Sequence, residues 1–220
     1  MNKKHILKNL ILAVILITIF ILAKPRAEAF WVSFMNFTNP GYYDTKLKEW
    51  SDKSTDFLIG KLGHPAPSWD GVAGNILARR KDLSREQKLV RVLNSDWSIE
   101  RRRSSLSILF IWNEPKAIDL SMKIIESNRE NPLYIDALRH LSHRKYEPAY
   151  PYVVALAKES DPFANGSIGM LKNFGKTESI PLLQAMVDRV RPQDKMVERM
   201  DKSSILNAIH SIKQQNKITE

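Results

Sequence analysis

The sequence predicts an all-α protein of about five helical hairpins in tandem, preceded by an N-terminal hydrophobic helix. Three observations carry this. Apolar residues recur at three- and four-residue spacing along most of the chain. Prolines and apolar anchors recur at an offset of thirty residues. No run alternates apolar and polar residues strongly enough for a sheet, so strands are expected to be few or absent. With 220 residues, 43% of them apolar, the chain can bury a substantial core.

Residues 1–29 form the first element. Met1–Asn9 carries Lys3, Lys4 and Lys8 without an acid, and Leu10–Ala23 is uncharged. Lys24, Pro25, Arg26 and Ala27-Glu28-Ala29 follow. Two readings fit. A basic start, an apolar core and an A-x-A ending describe a secretory signal peptide that would leave Phe30 first in the mature chain. Alternatively, residues 6–23 span the inner membrane as a helix of roughly 27 Å, with Lys8 reaching the headgroups. The basic end stays cytoplasmic in either case, so the remainder is expected in the cell envelope, on the periplasmic or extracytoplasmic face, anchored or released.

Residues 30–44 are dense in aromatics, with Phe30, Phe34 and Phe37 at helical spacing beside Trp31. They fit an interfacial anchor or rings packed beneath the first helix of the folded domain. The domain itself is expected over residues 45–220. Its hairpins read as 45–62 with 69–81, 83–94 with 98–112, 115–127 with 131–144, 147–159 with 162–174, and 178–190 with 194–214. Gly63-His64-Pro65-Ala66-Pro67 divides the first hairpin, and Asp96 is expected to cap the 98–112 helix.

The thirty-residue beat justifies the later boundaries. Pro151 matches Pro181, Asn131-Pro132-Leu133 matches Asp161-Pro162-Phe163, and Pro162 matches Pro192. Leu138 pairs with Ile168 and Leu141 with Leu171. Asn131 and Asp161 can accept from the free N–H groups of a helix start, and Pro132 and Pro162 suit its first position. Phe163, Ser167, Met170, Leu171 and Phe174 lie on one stripe, which Gly175 ends in a left-handed conformation. Thr177 is expected to cap the next helix, so Pro181 marks a beginning rather than a break. Leu182, Leu183, Met186 and Val190 then form a buried stripe.

Residues 160–188, SDPFANGSIGMLKNFGKTESIPLLQAMVD, resemble HEAT repeats, above all the short bacterial type. Residues 131–160 resemble them more loosely. The resemblance implies a right-handed α-α superhelix, an α-solenoid whose role is binding other proteins. The Val-Arg pair common early in the family's second helices is absent, with Asn165 and Asp136 near that place.

Candidate sites are few. Residues 79–103 hold nine Lys/Arg against four acids. If the helices containing them are inner helices, Arg79, Arg80, Arg101, Arg102 and Arg103 share one edge of the concave wall. Together with Arg139 they would form a basic patch for an acidic segment or lipid headgroups. Asp136, His140 and His143, at i, i+4 and i+7, could hold a divalent metal, although a solvated polar helix face is the simpler reading. Trp69, Trp97 and Trp112 are expected in the core between layers.

The chain lacks cysteine, and its eight glycines form no phosphate loop. No nucleophile elbow surrounds Ser104-Ser105. The net charge of +10 favours acidic neighbours. The expected function is therefore a membrane-associated protein-binding scaffold in the envelope, without catalytic residues or cofactor. The alternatives are an immunity-type inhibitor of a toxin and a metal-dependent or lyase-like enzyme using Asp136, His140 and His143. Export argues against nucleic acid as a partner.

Overall fold

The computed structural model describes residues 41–159, 166–189 and 195–218. The apolar run 6–23, residues 30–40, Pro162, Pro192, Phe163 and Val190 lie outside the described residues. Among the described residues every regular element is helical, and no helix is long and apolar enough to cross a membrane.

The chain divides into two compact units, residues 1–114 and 115–220. The first holds α1 (Tyr42–Trp50), α2 (Thr55–Lys61), α3 (Pro67–Arg80), α4 (Glu86–Leu93) and α5 (Ile99–Trp112). The second holds α6 (Glu114–Ser127), whose first residue closes the first unit, then α7 (Tyr134–His143) and α8 (Tyr150–Ala157). It continues with α9 (Ser167–Phe174), α10 (Ile180–Arg189) and α11 (Lys195–Gln215).

The single helix expected over 45–62 is two helices, α1 and α2. The polar run Ser51-Asp52-Lys53-Ser54 offers no apolar residue to continue the stripe. Ser54 takes extended backbone and its side chain accepts from the N–H of Phe57, capping α2. At α5 the cap is Ser98, accepting from Arg101 N at 3.4 Å, and not Asp96. Pro132 sits in the turn before α7 rather than in its first position, and Asn131 Oδ1 accepts from Leu133 N at 3.0 Å. Thr177 opens a 3-10 turn, Thr177–Ser179, instead of capping α10.

Pro181 is the second residue of α10, as Pro151 is of α8. Each therefore falls where no intrahelical N–H is demanded. The match extends to the backbone before them. Lys145 and Gly175 are left-handed (φ 50° and 70°), Tyr146 and Lys176 are extended, and a 3-10 turn then leads into the helix. Lys81 (φ 47°), Asp82 and the turn Leu83–Arg85 repeat this path before α4.

Side chains show how the helices run. In the first unit α2 packs on α3, α4 on α5, and α3 on α5. Thr55 Oγ1 donates to Asp82 Oδ2 at 2.9 Å, joining the start of α2 to the end of α3. Asn113 Nδ2 donates to Glu86 Oε2 at 2.8 Å, and Arg102 Nε to the Leu93 carbonyl at 2.9 Å, so α4 and α5 are antiparallel. Ser104 Oγ donates to Asp70 Oδ2 at 3.2 Å near the starts of α5 and α3, and Trp112 Nε1 donates to the Leu77 carbonyl at 2.7 Å near their ends. Helices α3 and α5 are therefore parallel.

The second unit obeys the same rule. Tyr150, at the start of α8, meets Phe174, at the end of α9, edge to face at 5.3 Å. Asn173 Nδ2 donates to Ser142 Oγ at 3.3 Å, so the ends of α7 and α9 lie together. Asn216 Nδ2 donates to the Gly175 carbonyl at 2.8 Å, bringing the end of α11 to the same place. The pairs α2–α3, α4–α5 and α8–α9 thus run antiparallel. Within each unit second helices run parallel, α3 with α5 and α7 with α9 and α11, whereas α6 does not pack on α7 as the hairpin expected over 115–144 would. Leu58, Leu77, Leu89 and Leu106 form the fully buried core of the first unit. Leu138, Leu171, Leu183 and Ile205 do so in the second.

Candidate functional site

Because α3 and α5 are parallel, Arg79 and Arg80 at the end of α3 cannot share an edge with Arg101–Arg103 at the start of α5. About ten residues of helix, roughly 15 Å, separate the two groups along the axis. The expected common edge is not formed.

The six arginines have different duties. Arg80 donates both guanidinium arms to the carbonyls of Ser51 and Lys53, fastening the α1–α2 turn to the end of α3. Arg101 donates to the Ile59 carbonyl at 3.1 Å and stacks on Trp97 at 3.7 Å. Burial pulls its pKa below the ordinary arginine value. Arg102 holds the Leu93 carbonyl. These three are half-buried and act as staples between turns. Arg79 and Arg103 are exposed, and Arg139, in the second unit, is exposed while paired with Asp136 at 2.8 Å.

In each unit the second helices carry exposed polar side chains. In the second unit Arg139 of α7, Lys172 of α9 and His210 of α11 are exposed on successive parallel helices. In the first, Arg103 and Ile111 of α5 are exposed one above the other at two-turn spacing, Ile111 at 48%. Exposed cations around scattered apolar side chains suit a surface that receives another protein.

Asp136, His140 and His143 do not make the solvated face expected of them. Helix α7 is packed by both α8 and α9. Asp136 is buried at 4% exposure and holds Arg139. His140 is mostly buried. Burial first, then the charge of Arg144, lowers its pKa to about 4, while Asp136 opposes the shift. His143 is exposed, with Nδ1 at 3.2 Å from Asn173 Nδ2. Among the described residues no group of three His, Cys, Asp or Glu side chains comes together to hold a metal.

Trp112 is core, and Trp69 packs against Trp50 at 5.7 Å. Trp97, expected between layers, is instead 54% exposed. It precedes the capping Ser98 and lies outside α5, where its ring shields Arg101. The i, i+4 spacing of Trp97 and Arg101 was the available signal.

A groove of about 470 Å³ runs between α1 and α3, lined by Leu47, Lys48, Ser51, Ile76, Arg79 and Arg80. Lys48 belongs to it only because α1 ends at Trp50 and lays its last turn beside that of α3. Reading 45–62 as one helix hid that end. Comparison of the chain with protein-family models, with curated proteins and with solved structures found no match.

Proposed function

We propose that the chain is a non-enzymatic α-solenoid of the HEAT-like type that holds an acidic protein partner in the cell envelope, associated with the membrane through its N-terminal apolar run. The observation that supports this is the parallel packing of second helices within each unit. Stacked hairpins bury their apolar stripes only against their neighbours, which leaves one edge of each second helix for a ligand. Arg103 is exposed on α5 in the first unit, and Arg139 and Lys172 are exposed on α7 and α9 in the second.

The test is recovery of the partner from crosslinked cells by the full chain and by an Arg103→Glu/Arg139→Glu variant. The expected result is a discrete acidic protein, reduced at least tenfold in the variant, with an unchanged helical circular dichroism spectrum. Equal recovery by both chains would reject the basic face. A neighbouring toxin as the captured protein would favour the immunity-type reading within the same class. Membrane association is tested separately, by fractionation and by N-terminal sequencing of the protein from its own cells.

A further inference from the structure

The groove between α1 and α3 sits where two helix ends meet, and helix C-termini carry free carbonyls and partial negative charge. Arg80 satisfies that demand by donating to the carbonyls of Ser51 and Lys53. Lys48 and Arg79, which line the same groove and are exposed, make no side-chain hydrogen bond or ion pair among the described residues. They are surplus to the fold. Lys53 and Lys81 add positive charge on exposed flanks. Of the nearby acids, Glu49 is held by Lys46, whose amino group lowers its pKa, and Asp52 is exposed. The groove floor, from Leu47 and Ile76, is apolar, with Ile76 buried at 7% exposure.

We infer that this groove seats the headgroup phosphate of an anionic phospholipid, with Lys48 and Arg79 on the phosphate oxygens and Leu47 and Ile76 against the glycerol and first methylenes. Arginine and lysine beside a phosphodiester make charge-assisted hydrogen bonds. An extended acidic peptide would need cations repeated along the groove, and the lining offers a single cluster. The eighteen residues between Ala23 and Tyr42 reach at most about 60 Å, which would keep the groove near any bilayer that residues 6–23 enter. The inference rests on the proposed membrane association. Fractionation tests that association, while the following measurement reads the groove alone.

The full chain in detergent is titrated with phosphatidylglycerol and with phosphatidylcholine of the same acyl chains, and bound lipid is counted by native mass spectrometry. One phosphatidylglycerol is expected to be retained in preference to phosphatidylcholine. Lys48→Ala and Arg79→Ala should each weaken it about fivefold, and about thirtyfold together. An Arg91→Ala/Lys158→Ala chain, with the same loss of charge at exposed positions elsewhere, should bind as the parent does. Neither Lys48 nor Arg79 holds the fold, so thermal melts of the double variant should match the parent. Equal retention of the two lipids, or undiminished phosphatidylglycerol binding by the double variant, would overturn the inference. So would preferential retention of a hexaglutamate peptide, which assigns the groove to a protein. Full competition by glycerol phosphate at the lipid's concentration would also overturn it, since Leu47 and Ile76 would then contribute nothing.

Discussion

Lys145 and Gly175 occupy the same place in successive hairpins, both left-handed after the last turn of a helix. A side chain costs about 1 kcal/mol in that conformation, and glycine does not bear this cost. Lys145→Gly should therefore stabilise the protein by about 1 kcal/mol in urea unfolding, less the weak 3.4 Å bond from Lys145 Nζ to Gln215. Gly175→Ala should destabilise by a similar amount, because the atom its Cβ meets is the movable end of Gln215. Gly63→Ala is a harsher change: its Cβ would stand 2.1 Å from the backbone nitrogen of Arg101, at φ 61°. A loss clearly larger than that of Gly175→Ala is expected. His140 gives a pH signature. The folded chain keeps it neutral down to about 4, whereas the unfolded chain protonates it near 6.5, so unfolding takes up a proton between those values. The stability that depends on a neutral His140 is complete above pH 6.5 and falls as pH drops towards 4, by at most about 3.4 kcal/mol. His140→Gln should flatten this part of the stability profile between pH 6.5 and 4.5. An unchanged slope would contradict the buried, neutral imidazole.

At the scale of elements, α8 and α10 are each entered by a path of left-handed residue, extended residue and 3-10 turn, and polar clasps join neighbouring helices. Trp112→Phe keeps the core volume nearly intact but leaves the Leu77 carbonyl without the indole N–H. A loss of about 1–2 kcal/mol is expected by chemical denaturation. Tyr150, in α8, and Ser179, in the turn before α10, share a buried 2.8 Å hydrogen bond. A Tyr150→Phe/Ser179→Ala cycle should show coupling of about 1 kcal/mol, and additive losses would mean the clasp is idle. These elements also show what could be read in the residues. Pro151 and Pro181 announced helix starts because a missing N–H has one comfortable place in a helix. The stripe Ser167, Met170, Leu171 and Phe174 is wholly buried, as its spacing indicated. The division of α1 from α2 was not legible, since it rests on one serine accepting from the chain three residues on. The duties of Arg80, Arg101 and Arg102 were equally hidden. Charge is visible in a sequence, but the carbonyl that claims it is set by how distant turns meet.

For the whole molecule, the question is what the parallel stacking of equivalent helices accomplishes. In the first unit it sets α3 beside α5 in one direction, and in the second it does the same for α7 and α9. It also separates Arg79 and Arg80 from Arg101–Arg103, so the positive charge is distributed over a groove and a face instead of one wall. The Asp136, His140 and His143 spacing, in turn, is spent on an ion pair, a buried neutral ring and a hydrogen bond to Asn173. The central claim is that α7 and α9 lie side by side in the same direction. The chain has no cysteine, so one engineered pair reports this without interference. Mild oxidation of a Ser142→Cys/Asn173→Cys chain should give a high yield of intramolecular disulfide, visible as a mobility shift lost on reduction. A Ser142→Cys/Ser167→Cys chain, with its thiols at opposite ends of the two helices, should give almost none. The reverse order of yields would mean the helices are antiparallel and would contradict the stacked-hairpin account.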